Sequence, residues 1–313
     1  MKLISIIAPC FNEELNIQPF YLEIVNVFST LPDYEFQLIF ADDCSTDSTV
    51  DKVKQIINVD SRVEIVINHR NFGVYRNSFN ALKYTKGIAT IPMLPVDMQD
   101  PPSLIPKMLA EFEKGFAVVA GVKYERDEKF LMKKLRHAYY RIVHKLANFQ
   151  LPENVGEFQI VDRQLVEKLV SIDDYYPYTR GLIASLSSDR SYVNYEWQLR
   201  RFGKSKHNLP KLIDQAINGA ISTSNAPLRA LSILSSISAV IGVFFGVFQV
   251  VAYFTFSSKT IAPGVSTIII LISFLTLYIS ITLGVIAEYV AAIHAQVRGR
   301  SRVFEREHIY SNE

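Results

Sequence analysis

Between Arg229 and Glu288 the only formally charged residue is Lys259, which separates two apolar stretches, roughly Leu231–Phe256 and Val265–Ala287. A membrane-spanning helix needs about 20 predominantly apolar residues, so each stretch is long enough to cross a bilayer. A pair of buried core helices is the alternative, but two adjacent uncharged runs of this length rarely fit inside a soluble domain of this size. They are therefore read as two transmembrane helices, about 231–256 and 265–290, inside a segment 227–295. Arg229 precedes the first, Arg298, Arg300, Arg302 and Arg306 follow the second, and only Lys259 lies between them. By the positive-inside tendency both termini fall on the cytoplasmic side, with a short external loop near Ser257–Gly264 and a basic cytoplasmic tail over 296–313.

The start of the chain reads as a strand and a polar turn rather than a cleavable apolar leader. Two cysteines, Cys10 and Cys44, are too few for a disulfide framework and are read as small strand-end residues in a reducing compartment. A formal net charge of +2 gives no footprint for nucleic acid, and local clusters are more informative than the total. From Lys129 to Lys145 there are six Lys or Arg and no acid, interleaved with Phe130, Leu131, Leu135, Tyr139, Ile142 and Val143 at helical spacing. That pattern fits an amphipathic helix, about 128–149, lying in the membrane interface; it also fits a core helix with a solvated face.

Upstream, short apolar runs alternate with amphipathic stretches, the pattern of strand–helix–strand units around a parallel sheet. Strands are expected over Leu3–Ala8, Phe36–Ala41, Val63–Ile67, Ala89–Leu94 and Ala117–Gly121, and helices over Glu14–Thr30, Thr46–Asn58, Val74–Thr85 and Pro101–Lys114. Residues 1–226 thus read as an open α/β domain of nucleotide-binding type. Ligands in such sheets sit beyond the carboxyl ends of the strands. Those ends are acidic: Glu13 and Glu14 after the first strand, Asp42, Asp43 and Asp47 after the second, Asp97 and Asp100 after the fourth. Neither a G-x-G-x-x-G nor a G-x-x-x-x-G-K-[ST] sequence occurs, which removes the dinucleotide fingerprint and the P-loop. Carboxylates gathered at one edge suit a divalent cation completed by substrate phosphates. Helix capping by Asp42, Ser45 or Asp47 is the bland alternative, and Asp100 is the natural cap for the helix after Pro101.

At these residues the chain resembles the family-2 glycosyltransferases, and within them the polyprenyl-phosphate branch of dolichyl-phosphate mannose synthases and bactoprenol glucosyltransferases. Matching stretches run from Pro9-Cys10-Phe11-Asn12-Glu13-Glu14 through Asp42-Asp43-Cys44-Ser45-Thr46-Asp47, Arg70-Asn71-Phe72-Gly73 and Asp97-Met98-Gln99-Asp100-Pro101-Pro102. They continue through Gly156-Glu157-Phe158, Arg180-Gly181, Arg200 to Lys206, Pro227-Leu228-Arg229 and Glu288-Tyr289 onward to Gly299-Arg300. The resemblance covers nearly the whole chain, and the order and spacing of the motifs carry it.

The resemblance implies a GT-A-type open, mostly parallel sheet with flanking helices, followed by a two-helix transmembrane hairpin in a bacterial-type inner membrane. It implies an inverting transfer of a hexose, glucose from UDP-glucose being favoured, to undecaprenyl or another polyprenyl phosphate for O-antigen or cell-envelope glycan modification. Pro9, Asn12, Glu13, Asp42, Asp43 and Arg70 would hold the nucleotide sugar. Asp97 and Gln99 would hold Mg²⁺ or Mn²⁺, Arg200, Ser205 and Lys206 would close on the diphosphate, and Glu157 with Asp97 would form the catalytic pair. Glu157 as a surface residue on a loop is the alternative. Membrane lipids, a flippase and an external glycosyltransferase are the implied partners, and homo-oligomerisation is left open.

Three departures from the family pattern stand out. Pro95 occupies the place of the first Asp of the usual D-x-D-L-Q, Gly156-Glu157-Phe158-Gln159 replaces G-D-F-R, and Val74-Tyr75-Arg76 replaces a Lys-Glu pair. A catalytically weakened membrane scaffold, a transferase for another sugar or acceptor, and a processive polysaccharide synthase are the competing readings. The last lacks its Q-x-x-R-W signature, since the single Trp is Trp197 in Glu196-Trp197-Gln198-Leu199-Arg200.

Overall fold

The computed structural model describes residues 1–123, 155–175, 177–200, 226–255, 265–297 and 303–311. The expected interface helix, Ser205 and Lys206, the loop containing Lys259, and Arg298 to Arg302 lie outside the described residues. The chain divides into two compact units: residues 1–145, 149–222 and 300–313 form one, and residues 146–148 and 223–299 the other.

The first unit is built on strands β1 (Lys2–Cys10), β2 (Tyr34–Asp42), β3 (Val63–Asn68), β4 (Ala89–Ile91), β5 (Val118–Lys123), β6 (Val155–Asp162), β7 (Arg190–Tyr195) and β8 (Glu305–Tyr310). They form one sheet in the order β7-β5-β6-β4-β1-β2-β3-β8. Pairing is parallel for β1 with β2 and β4, for β2 with β3 and for β5 with β7, whereas β6 and β8 run antiparallel to their neighbours. Helices α1 (Ile17–Ser29), α2 (Thr49–Ile57), α3 (Val74–Ala81), α4 (Ile105–Phe112), α5 (Arg163–Ser171) and α6 (Thr179–Leu186) flank the sheet.

Period-two alternation assigns the two faces. In β1, Ile4, Ile6 and Ala8 belong to a core with Phe20 and Ile24 of α1, Val53 of α2 and Met108 of α4. Ile7 belongs to the other core, with Phe79 of α3, Val166 of α5 and Ile183 of α6. Each such buried Ile or Phe contributes about 1.5–3 kcal/mol relative to exposure. Because both faces are covered, the central strands read as near-continuous apolar runs.

Several expected boundaries shift for identifiable reasons. Strand β4 stops at Ile91 rather than Leu94 because Pro92 has no amide to offer the ladder. The fourth expected helix opens as a 3₁₀ turn, Pro102–Leu104, before α4 begins at Ile105. Strands β6 and β8 carry no apolar alternation, since Glu157 and Gln159 interrupt the first and charged residues fill the second, as suits an edge strand; β7 is a further strand beyond those expected. Part of the expected tail, Glu305–Tyr310, is sheet: Ile65 pairs with Ile309, and the His308 ring nitrogen Nε2 lies 2.8 Å from the Glu64 carboxylate.

The second unit contains α7 (Ala226–Thr255) and α8 (Val265–Val297), joined by a hydrogen bond between the Ser235 and Tyr278 hydroxyls. Among the described residues one segment, Phe274–Val297, is long and apolar enough to cross a membrane, and only 6% of its most apolar window is buried. A core helix of a soluble domain would bury that surface. The apolar run in α7, Ala230–Phe244, is shorter.

Candidate active site

After β3 the chain returns past β1 to place β4 on its other side, so the order of strands reverses between β1 and β4. A reversal of this kind opens a crevice at the carboxyl ends of the strands, where open α/β sheets bind ligands. Residues that leave β1 and β4 at that end are the ones the sequence singled out.

Cys10 and Asp42 stand opposite each other at the ends of β1 and β2. Beyond them Asn12 (φ 52°) and Cys44 (φ 67°) adopt the left-handed region, turning both chains toward each other. The Asn12 amide donates to Ser45 Oγ at 2.8 Å, the Thr46 amide donates to Asn12 Oδ1 at 2.7 Å, and the Glu13 amide donates to Thr49 Oγ1 at 2.8 Å. Asp42, fully buried, accepts the Ser45 amide at 3.0 Å. Burial raises its carboxyl above the usual range, and the hydrogen bonds from Ser45 pull it back. Capping therefore explains little here. Ser45 and Asp42 tie loops together, and Asp47 alone of the three reaches the first turn of α2, accepting the Thr49 amide at 3.0 Å. Pro9 is buried in the ladder opposite Ala41.

Asp43 has a role that sequence alone did not show. Its Oδ1 accepts the Phe72 amide at 2.8 Å and Asn68 Nδ2 at 3.0 Å, and its Oδ2 accepts the Gly73 amide at 2.8 Å. The carboxylate thereby fixes the Arg70-Asn71-Phe72-Gly73 turn, with Gly73 at φ 91°, a conformation that favours glycine. Arg70 is exposed and stacks its guanidinium 4.2 Å from the Phe72 ring centroid.

Across the crevice, Arg200 bridges the two sides. Its guanidinium pairs with Glu13 from the β1 loop and lies 3.8 Å from Asp97 Oδ2 in the loop after β4. Burial raises the Asp97 carboxyl, Arg200 lowers it, and the neighbouring Glu13 and Asp100 raise it again. The Gln99 amide donates to Asp97 Oδ1 at 3.2 Å, while the Gln99 carbonyl accepts the Gln198 amide at 3.0 Å. Asp100 does not cap the following helix. It is buried and accepts the Tyr195 hydroxyl at 2.5 Å and the Lys123 ammonium at 2.9 Å. Lys123 in turn lies 5.8 Å from the Trp197 ring centroid.

Glu157 is neither on a loop nor at the surface: it lies in β6 with its side chain 16% exposed. Burial raises its carboxyl above the usual glutamate range, opposed by Arg180 and Lys123. Among the described residues no group of three or more His, Cys, Asp or Glu side chains gathers as a metal-binding set. Asp97 stands as the carboxylate beside Gln99, which suits a Mg²⁺ or Mn²⁺ that arrives with substrate phosphates and takes one or two protein ligands.

An open sheet whose switch point carries carboxylates, an arginine bridge and no Gly-rich phosphate loop is the frame of a nucleotide-dependent group transferase rather than a dehydrogenase or P-loop enzyme. The chain belongs to glycosyl transferase family 2: residues 5–170 match the model that defines it. It is 29% identical over 300 residues to a bactoprenol glucosyl transferase of Shigella phage SfX, covering 96% of this chain and 97% of that protein. It is likewise 29% identical to the glycosyltransferase YkcC of Bacillus subtilis strain 168, covering 95% and 91%. Its fold is like that of mannosyl-3-phosphoglycerate synthase from Rubrobacter xylanophilus, with a TM-score of 0.51 over 75% of each chain at 18% identity. The protein is a glycosyltransferase.

Replacing Asp43 by Ala is expected to destabilise the catalytic unit by about 2–4 kcal/mol, since the Phe72 and Gly73 amides and the Asn68 amide group lose their acceptor. Thermal unfolding together with hydrogen exchange over residues 70–76 checks this. Faster exchange confined to that turn and a lower midpoint are expected; unchanged stability and exchange would refute the structural role.

Proposed function

We propose that this glycosyltransferase moves a hexose, with glucose from UDP-glucose favoured, onto a polyprenyl phosphate at the cytoplasmic face of a bacterial-type membrane. What carries the reading is the near full-length similarity to a protein named a bactoprenol glucosyl transferase, joined to an apolar helix in the same chain. A phosphate oxygen of the lipid attacks the anomeric carbon as the bond from that carbon to the nucleotide diphosphate breaks, with inversion. Asn12 and Glu13 contact base and ribose, while Asp42, fully buried, holds the loop that follows β2 by accepting the Ser45 amide. Asp97 and Gln99 would hold Mg²⁺ or Mn²⁺, which offsets charge on the departing diphosphate. Arg200 suits the diphosphate because its planar fork pairs two phosphate oxygens. For that it exchanges its present partners, Glu13 and Asp97, for the substrate. Glu157 orients the acceptor and takes its residual proton; a lipid phosphate with a second pKa near 6 is already largely ionised at pH 7, so a strong base is unnecessary.

The connectivity of the sheet supports a topology. Strand β8 lies beyond α8 in sequence yet pairs with β3 of the catalytic unit, so a chain that crosses the bilayer between them crosses an even number of times. A single span over Phe274–Val297 would leave β8 and β3 on opposite sides. This favours a hairpin of α7 and α8 with both termini cytoplasmic, in agreement with the flanking arginines. The product would be made inside and used outside, which calls for a flippase and an external transferase.

A cysteine placed at Lys259, in a background without accessible native cysteines, is expected to react with an impermeant maleimide from the external side. Labelling from the cytoplasmic side alone would overturn the hairpin. Purified enzyme given UDP-glucose, Mg²⁺ and undecaprenyl phosphate is expected to form a labelled, lipid-extractable product by mass spectrometry. Label found in polymer or protein instead would overturn the acceptor assignment.

A further inference from the structure

The Arg180-Gly181 pair was singled out in the sequence, yet the reaction as described gives it no part. In the structure it lies at the start of α6, immediately beside Glu157. Arg180 donates from Nη1 to the Val155 carbonyl at 2.6 Å and from Nε to the Tyr178 hydroxyl at 2.9 Å, and its Nη2 also donates to that hydroxyl. Nε lies 3.9 Å from Glu157 Oε1. Val155 is two residues before Glu157 in β6, so the guanidinium is fastened to the strand that carries the carboxylate it faces.

Gly181 explains why the pair is a pair. A Cβ at this position would lie 2.4 Å from Cδ1 and 3.0 Å from Cε1 of the Tyr178 ring, so any larger residue would push the ring from its place under Arg180. At Gly156 a Cβ would lie 2.9 Å from Lys123 Cε, the end of a flexible side chain that can move aside, so the tight requirement falls on Gly181.

We propose that Arg180 is the positioning residue of the acceptor side: anchored by Tyr178 and Val155, it sets the orientation and the charge state of Glu157. The inference rests on the role given to Glu157 above. The groups around this carboxylate are Arg180 from α6, Tyr178 just before it, Tyr75 from α3, Lys123 from β5 and Asp100 from the loop after β4. Lys123 is engaged by Asp100 at 2.9 Å, whereas Arg180 is fastened to the strand that carries Glu157. Burial and the neighbouring Glu157 both raise the Tyr75 hydroxyl, so Tyr75 stays neutral and contributes an apolar wall rather than charge. Burial pushes the Glu157 carboxyl up while Arg180 is the first group opposing it. Loss of Arg180 therefore leaves Glu157 protonated over a wider range, and activity that needs its carboxylate disappears at a higher pH as pH falls.

The test is the pH profile of kcat for the full-length enzyme with UDP-glucose and undecaprenyl phosphate, alongside calorimetric donor binding, for wild type, Arg180→Gln, Arg180→Lys and Gly181→Ala. Arg180→Gln is expected to move the acid limb up by about one pH unit and to lower kcat on the order of tenfold, with donor affinity unchanged. Arg180→Lys should keep the acid limb near its wild-type position yet still lose kcat, since an ammonium cannot hold Tyr178 and Val155 in the same fork. Gly181→Ala should lower kcat without altering donor affinity. The lipid phosphate titrates alike for all four proteins, so a difference between their acid limbs does not come from it. An acid limb that stays in place in Arg180→Gln, or a loss of donor affinity in place of kcat, would overturn the inference. A wild-type enzyme that makes no lipid product would instead overturn the acceptor reading on which it rests.

Discussion

Strand β1 pairs in parallel with β2 from Lys2 opposite Tyr34 to Cys10 opposite Asp42, and the polar half of the molecule hangs from the end of that ladder. A parallel register brings both strands to the same edge at the same level, so the chains that leave them can be tied by their own amides and side chains. Asn12 to Ser45 and Thr46, and Glu13 to Thr49, are those ties. The ladder is held in turn by two covered faces, with Phe20 and Phe40 on one and Ile39 and Phe79 on the other. Packing sets the register, and the register sets where the acids stand.

Gathering so many carboxylates at one edge costs desolvation, and the molecule meets that cost in two ways. Asp43 is satisfied internally by amides of the turn that follows β3, and Asp42 by its own loop. Asp97, Glu13, Asp100 and Glu157 are matched with Arg200, Lys123 and Arg180. The first group fixes shape. The second consists of charge pairs around the crevice, and charge pairs can exchange partners when a phosphate arrives; a carboxylate bonded to fixed amides cannot do so without unfolding its turn.

The central strands and the acidic strand ends were legible because hydrophobic alternation and Asp-rich turns are local signals. Strand β6 was not, since Glu157 and Gln159 stand where an apolar rhythm would be needed. Nor was β8, whose charged residues read as a tail and whose place is set by pairing with β3, more than 200 residues earlier. Asp43 and Asp100 carry the same chemical identity as Asp97, and nothing in their spacing tells that two of them are held by amides, Tyr195 and Lys123. The Arg180-Gly181 pair was visible as a motif, but its reason, a tyrosine ring lying against a missing Cβ, exists only in three dimensions.

Asp97 is the carboxylate proposed to hold the cation against the diphosphate, while Asp42 and Asp43 at the same edge hold the loops. Calorimetric titration of UDP-glucose into wild type and Asp97→Asn, each with and without Mn²⁺, tests that division most directly. Wild type should gain donor affinity from Mn²⁺; Asp97→Asn should show no such gain, with its thermal midpoint little changed because no bulk is added, the Asn Oδ1 can still accept the Gln99 amide and Arg200 keeps Glu13. An Mn²⁺-dependent gain of equal size in both proteins would contradict the account.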